Sequence, residues 1–248
     1  MKRFAWLLLL ATPAIAGDIP LSERRSGFDF MTTETQAMQR DDTLNPGMLW
    51  VLEGEALWRQ GNKPCASCHA EGSMQGVAAR YPAYDEKTQQ PIDLAGRINR
   101  CRSENQGQAI YAPESRPLLS LSAYIGQQSR GLPMAPPEDP RLTPFIERGK
   151  AAFERRIGQL NFSCAQCHDQ NWGQKLGGSP IPQGHANGYP IYRLEWQGLG
   201  SLQRRLRNCM IGVRAEPHAF GAPELVELEL YLAQRAKGMA VEIPAVRP

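Results

Sequence analysis

Apolar residues recur along this chain at three- and four-residue steps, and alternation at two-residue steps is scarce. Leu199, Leu202, Leu206 and Cys209 share one helical face, which predicts a helix with Cys209 turned inward near its end. Pro223 followed by Leu225, Leu228 and Leu232 predicts another, closed by Gly238. Thr143-Pro144 reads as an N-cap with proline at N1, opening a helix that runs to about Arg156. With 23 Gly and 20 Pro and few β-branched alternating runs, the expectation is a mainly α protein of short helices and many loops.

The elements come in two sets. "GEALWRQGNKPCASCH" (54–69) parallels "GKAAFERRIGQLNFSCAQCH" (149–168). "LAGRINRCR" (94–102) parallels "LQRRLRNCM" (202–210), and "LLSLSAYIGQQSRGLPM" (118–134) parallels "LVELELYLAQRAKGMAV" (225–241). Each set runs helix, CxxCH, loop, short helix ending at cysteine, closing helix. The Pro-rich "LPMAPPEDP" (132–140) separates them. The chain therefore reads as two tandem domains, 48–135 and 141–248. An N-terminal extension, 17–47, has no counterpart.

The first 16 residues read as an export signal: Lys2 and Arg3, an apolar stretch from Phe4 to about Thr12, then Ala14-Ile15-Ala16, with cleavage between Ala16 and Gly17. The stretch is too short to span a bilayer, and no other run is long enough, so no membrane span is expected and the mature protein is expected in the periplasm. Charge then changes its meaning. Of 28 Lys and Arg against 25 Asp and Glu, two basic residues and no acid belong to the signal, leaving 26 against 25. Nucleic-acid binding has no support.

Four of the six cysteines stand in CxxCH, the pattern of covalent haem c attachment. Two thiols, Cys65 with Cys68 and Cys164 with Cys167, would add to the haem vinyl groups. The adjacent His69 and His168 would fall beneath the iron as proximal ligands. A redox CxxC has no need of the histidine, and a zinc site needs more ligands. Two copies therefore imply two haems.

The distal ligands are less direct. His185 and His218 both lie in the second half, so the first haem has no spare histidine of its own. Met134 and Met239 follow the closing helices at equivalent places and are the ligands expected of an ordinary dihaem electron carrier. Cys101 and Cys209 are the other equivalent pair. They could form a disulfide with each other, or each could ligate its own iron as thiolate. The repeat favours ligation, because equivalent sulfurs meet only if the domains join through those faces. Thiolate favours Fe(III) and makes a poor general carrier. Arg204, Arg205, Arg207 and Arg214 surround Cys209. Arg205, four residues before it, shares its helical face. Guanidinium binds oxyanions and favours a thiolate, which suggests oxidation of a small sulfur oxyanion. Arg97, Arg100 and Arg102 surround Cys101 in the same way, so arginine alone does not choose the active haem.

These features, together with "RSGFDFMTTETQAMQRDDTLNPGMLWVLEGEALW" (25–58), "GRINRCR" (96–102), "RLRNCMIGVRAE" (205–216) and "LELYLAQRAKGM" (228–239), resemble the SoxA family, the dihaem c-type cytochrome subunits of the SoxAX complex of bacterial thiosulfate oxidation. The resemblance covers nearly the whole mature chain. It implies two covalent haem c groups. One would be held by Cys65 and Cys68 with His69 and Cys101 axial, the other by Cys164 and Cys167 with His168 and Cys209 axial. It implies Cys209 as the active-site cysteine, carried as a persulfide, and Arg205 as the substrate-binding residue. The implied activity is L-cysteine S-thiosulfotransferase: thiosulfate is joined oxidatively to a cysteine of the SoxY carrier in SoxYZ. Two electrons leave through haem, the monohaem SoxX subunit and a downstream cytochrome c acceptor. A dihaem electron carrier and a dihaem peroxidase with an open distal site are the rival readings.

Overall fold

The structure is a computed structural model that describes residues 19–248; the export signal and its cleavage point lie outside the described residues. After a first helix in the extension, α1 (Thr33–Arg40), come α2 (Met48–Trp58), the hairpin β1 (Ala83–Asp85) and β2 (Gln90–Ile92), α3 (Leu94–Arg100) and α4 (Arg116–Gln127). The second half repeats the plan with α5 (Thr143–Glu154), α6 (Cys164–His168), the hairpin β3 (Lys175–Leu176) and β4 (Ser179–Pro180), the strands β5 (Ile191–Arg193) and β6 (Gly198–Gly200), then α7 (Leu202–Gly212), α8 (Pro223–Arg235) and β7 (Ala245–Arg247). The fold is mainly helical, as expected. Not foreseen is a three-stranded sheet in which β5 pairs antiparallel with β6 and parallel with β7.

The predicted helices form, with one shift. Thr143 is already helical, and the residue before it caps α5 without a side-chain bond. Asp139 does the capping upstream, accepting from Arg141 N at 2.9 Å and starting a 3-10 turn that feeds α5. Gly238 has φ +84° and its N–H donates to Met134 O at 2.8 Å, so it ends the α8 region by a left-handed residue, as glycine permits.

Each half is built on one close helix crossing. A Cβ added to Gly54 would lie 2.0 Å from Ser120 O on α4, and one added to Gly149 would lie 2.1 Å from Glu227 O on α8. One turn on, the aromatic partners meet: Trp58 with Tyr124 at 5.7 Å and Phe153 with Tyr231 at 5.4 Å between centroids. The equivalence of all eight positions is the structural content of the repeat.

The halves share packing. Val51 and Leu119 of the first half lie in one cluster with Tyr192, Leu199 and Val246 of the sheet. The extension ties both together. Asn45 Nδ2 donates to Pro244 O at 2.9 Å, Gln39 Oε1 accepts from Val246 N at 3.0 Å, and Asp42 pairs with Arg130 at 2.5 Å.

A buried acid pair also sits between the halves. Asp93 caps α3, accepting from Gly96 N at 2.7 Å, and its other oxygen accepts from Gln203 Nε2 of α7 at 2.9 Å. Glu229 of α8 is buried beside them, with Glu114 facing from the loop before α4. Burial raises both Asp93 and Glu229 above the ordinary carboxylate range, and Asp93 raises Glu229 further.

Two predictions follow the packing. Gly149→Ala removes a helical glycine's entropic cost but forces α5 and α8 apart. The expected net loss is about 3 kcal/mol, read as a lower thermal midpoint, whereas Gly212→Ala, where a Cβ meets nothing within 4 Å, does not fall. A carboxyl whose pKa rises on folding gives stability that is complete below its unfolded value and lost as pH rises through the folded one. The thermal midpoint should therefore fall as pH rises from 5 to 9, and Glu229→Gln should flatten that slope.

Candidate functional site

CxxCH becomes a local structure through its caps. In the second half Ser163 Oγ accepts from Gln166 N at 3.2 Å while Gln166 Oε1 accepts from Ser163 N at 3.0 Å, a capping box. It nucleates one helical turn, which brings Cys164, Cys167 and His168 onto one face. In the first half Pro64 opens a 3-10 turn over Cys65–Ser67, and His69 N donates to Cys65 O at 3.0 Å.

The first site is a cavity of about 640 Å³ lined by Trp58, Cys65, His69, Leu94, Ile98 and Cys101, among others. That volume and its mostly apolar wall suit a small-molecule cofactor. Cys101 is close enough to Cys65 to add to the effect of burial in pushing that thiol up. The arginines around Cys101 are already committed. Arg100 and Arg97 both donate to Asp85, which is 2% exposed and also accepts from Thr88 N at 2.8 Å. The Arg100 guanidinium holds the Asp85 carboxyl well below the usual carboxylate range. Arg102 stacks 3.6 Å from the Tyr111 ring and donates to Ala109 O at 3.2 Å.

The second site is arranged differently. His168 Nδ1 is 2.7 Å from Pro182 O; an Nδ1–H donating there presents Nε2 to a metal. Burial lowers the His168 pKa, with the Arg205 and Arg235 guanidiniums adding to it, so the ring stays neutral as ligation requires. Gly184 presses on it: a Cβ there would lie 2.9 Å from His168 Cγ. Arg235 Nη2 holds Asp169 Oδ1 at 2.6 Å and Gln183 O at 3.2 Å, fixing the residues on either side of this contact. Among the described residues no such carbonyl holds His69; its ring lies 5.4 Å from Trp58.

Cys209 sits on α7, whose first turn is capped by Ser201 Oγ accepting from Arg204 N at 3.1 Å. Burial, then the nearby Cys209 and Cys167, push the Cys164 thiol up to about 11. Each lone cysteine thus stands at its own CxxCH, and all six cysteines are free of disulfides. Of the arginines beside Cys209, Arg204 stacks 4.1 Å from Trp196 and Arg207 4.4 Å from Phe220. Arg205 has no carboxylate within ion-pair distance among the described residues. Burial works against its charge, yet Cys209 and the Tyr189 phenol hold its pKa above the ordinary value. Burial raises the Tyr189 phenol, which Arg205 and Cys209 both face.

The methionine ligands of the carrier reading are elsewhere. Met134 N donates to Met239 O at 2.8 Å, and both side chains are buried in one cluster with Ala79, Ala233, Val241 and Ile243. They are packing residues between the halves and do not line the Cys65–His69–Cys101 cavity. His185, the spare histidine of this region, bonds Gln183 Oε1 at 3.1 Å; burial and then the Arg235 and Arg24 charges push it down to about 3. Sequence reasoning missed Asp85, Tyr189 and Pro182, none of which stands in a recognisable spacing.

A family model for the SoxA/TsdA cytochrome c domain matches the chain twice, over residues 53–134 and 148–241. The chain belongs to the SoxA/TsdA cytochrome c family. The L-cysteine S-thiosulfotransferase subunit SoxA of Pseudaminobacter salicylatoxidans is 40% identical over 236 residues, 92% of this chain and 82% of that protein. The same subunit from Rhodovulum sulfidophilum is 37% identical, over 95% and 84%. The crystal structure of SoxXA from P. pantotrophus superposes with a TM-score of 0.87 at 35% identity, covering 91% of this chain and 87% of that one. A c-type haem is therefore the cofactor of this fold, and the apolar cavity at Cys65 and the ring geometry at His168 fit it.

Asp85→Asn is expected to cost about 2 kcal/mol, because it leaves two guanidiniums at the first site without their buried counter-charge. Thermal unfolding should show the loss, as a lower midpoint than that of the unsubstituted protein.

Proposed function

We propose that this chain is the catalytic haem subunit of an L-cysteine S-thiosulfotransferase, and that the Cys209 site performs the reaction. The observation that carries this choice is electrostatic. At Cys101 the arginines are neutralised by Asp85 or stacked on Tyr111. At Cys209 one half-buried guanidinium, Arg205, is left facing the sulfur.

In this reading the domains are 48–135 and 141–248, each with one haem c. Cys65, Cys68, Cys164 and Cys167 are the thioether cysteines. His69 and Cys101 would hold the iron of one haem, and His168 and Cys209 that of the other. When bound, haem c supplies the redox-active iron that takes up electrons. The chain's own residues do the rest. Arg205 holds the sulfonate oxygens through its planar fork. Cys209, carried as persulfide, presents a softer and more acidic nucleophile than a thiol. Its outer sulfur joins the sulfane sulfur of thiosulfate as two electrons are lost. The thiolate of the carrier then attacks that sulfane sulfur and releases the persulfide, as in disulfide exchange. Overall, carrier Cys–SH and S₂O₃²⁻ give carrier Cys–S–S–SO₃⁻, one proton and two electrons. SoxX is the partner subunit, SoxYZ the protein substrate and a downstream cytochrome c the final acceptor. The export signal puts the reaction in the periplasm. Burial of Met134 and Met239 in one core cluster speaks against the carrier reading without sulfur chemistry.

Mass spectrometry of the haem-loaded protein without reductant tests this directly. One or more extra sulfur atoms are expected on the Cys209 peptide and none on that of Cys101; an unmodified Cys209 would sink the persulfide reading. In the assembled complex Arg205→Gln should lower kcat/KM for thiosulfate by about 100-fold, about 2.7 kcal/mol.

A further inference from the structure

The N-terminal extension has no counterpart in the repeat, and its first described stretch ends on the second site. Gln183 receives it there, and this residue is fully buried. Its Oε1 accepts from Arg25 N at 2.7 Å and its Nε2 donates to Glu23 O at 3.2 Å. An N–H only donates and a carbonyl only accepts, so the two bonds fix which way the amide points. His185 Nε2 lies 3.1 Å from the same Oε1, and the Gln183 carbonyl accepts from Arg235 Nη2 at 3.2 Å. The extension also reaches the other flank of His168. Phe30 meets Trp172, four residues beyond that histidine, edge to face at 6.4 Å between centroids, and the Arg25 guanidinium lies 6.0 Å from the same ring.

Gln183 stands between the two residues that hold the His168 ring. Pro182 O lies 2.7 Å from His168 Nδ1, and Gly184, at φ +74°, is so close that a Cβ there would be 2.9 Å from His168 Cγ. Planar peptide units join the three residues, so a restraint on Gln183 restrains the carbonyl before it and the glycine after it. Among the described residues none of the extension's hydrogen bonds reaches the loop after His69. The restraint is thus confined to the half that carries Cys209. A carbonyl bonded to the outer nitrogen makes a ligating imidazole more basic, and such hydrogen bonding is one of the levers on the potential of haem iron. Resting on the reading of His168 as a haem ligand given above, we infer that Gln183 is a positioning residue of the second site: through it the N-terminal extension fixes the His168 ring and keeps the potential of that haem low.

The test uses the haem-loaded complex with its monohaem partner subunit. Arg25→Pro removes the backbone donor to Gln183 Oε1. Arg24 before it is already extended, at φ −69° and ψ 129°, as proline favours in the residue it follows. Arg25→Ala removes the same side chain and keeps the donor. In a redox titration Arg25→Pro and Gln183→Leu should each shift the reduction equilibrium of the second haem about tenfold towards the reduced state, about 59 mV for one electron, while Arg25→Ala stays within about twofold. The first haem should not move. Low-temperature EPR of the oxidised complex should show the same two variants altering the signal of the second ferric haem alone. A merely structural Gln183 would lower haem content and thermal midpoint and leave the potential where it was; that outcome, or equal shifts in Arg25→Pro and Arg25→Ala, overturns the inference. His168→Ala identifies the second haem as the one lost or altered. If neither haem signal of this chain responds to it, the ligand reading fails and takes the inference with it. If one responds and Arg25→Pro leaves it unmoved, the inference alone fails.

Discussion

At Gly149 the backbones of α5 and α8 touch, and the second site is laid out from that point. Phe153 lies one turn beyond Gly149 on α5. Tyr231 and Arg235 lie one and two turns beyond Glu227 on α8. Phe153 packs on Tyr231, and the Arg235 guanidinium lies 4.7 Å from the Phe153 ring. From there Arg235 reaches Asp169 on one side of His168 and Gln183 on the other. A metal-ligating histidine needs a fixed ring plane, and the contacts that fix the His168 ring descend from a crossing that only glycine allows. The first half repeats the crossing at Gly54 and the aromatic pair at Trp58 and Tyr124. It lacks an arginine two turns beyond Ser120, where Gln128 stands, and among the described residues no carbonyl holds His69.

The two sites therefore share a skeleton and differ in their electrostatics. The segment between CxxCH and the lone cysteine is where they diverge. In the first half it is the β1–β2 hairpin, which delivers Asp85 to Arg97 and Arg100. In the second half it is the run into β5 and β6, which delivers Tyr189 and, among the described residues, no buried carboxylate to Arg205. A buried Asp beside two guanidiniums cancels the field that would attract an anion; its absence leaves that field in place. Equal CxxCH motifs thus coexist with unequal electrostatics.

Much of this was legible in the chain. The repeat, the helices, CxxCH and the lone cysteines carry periodicity or spacing, and those signals are local. The placement of Asp85 carries none: it is one acid in "AYDEKTQQP", and only the fold of a short hairpin brings it to arginines 12 and 15 residues on. Glu229 reads as a polar position on an amphipathic helix, and packing against the first half is what buries it. The α5 cap is displaced because the 3-10 turn started at Asp139-Pro140 already carries Thr143 into the helical region, and an N-cap needs an extended backbone. The sheet is invisible for another reason: its strands are three residues long, and β5 meets β7 across some fifty residues of sequence.

α7 draws these threads together. At 3.6 residues per turn, Gln203 and Arg205 point about 200° apart. One face of the helix bonds Asp93 of the first half and accepts from Gly221 N, while the other carries Arg205 and Cys209. Leu206 anchors the helix between them in the core under α8. An eleven-residue helix held this way is a stiff wall between the buried acid pair and the Cys209 sulfur. The first half then contributes to the second site by fixing the wall on which Cys209 stands. That is a physical reason for two domains in one chain where a single CxxCH unit would suffice to bind haem.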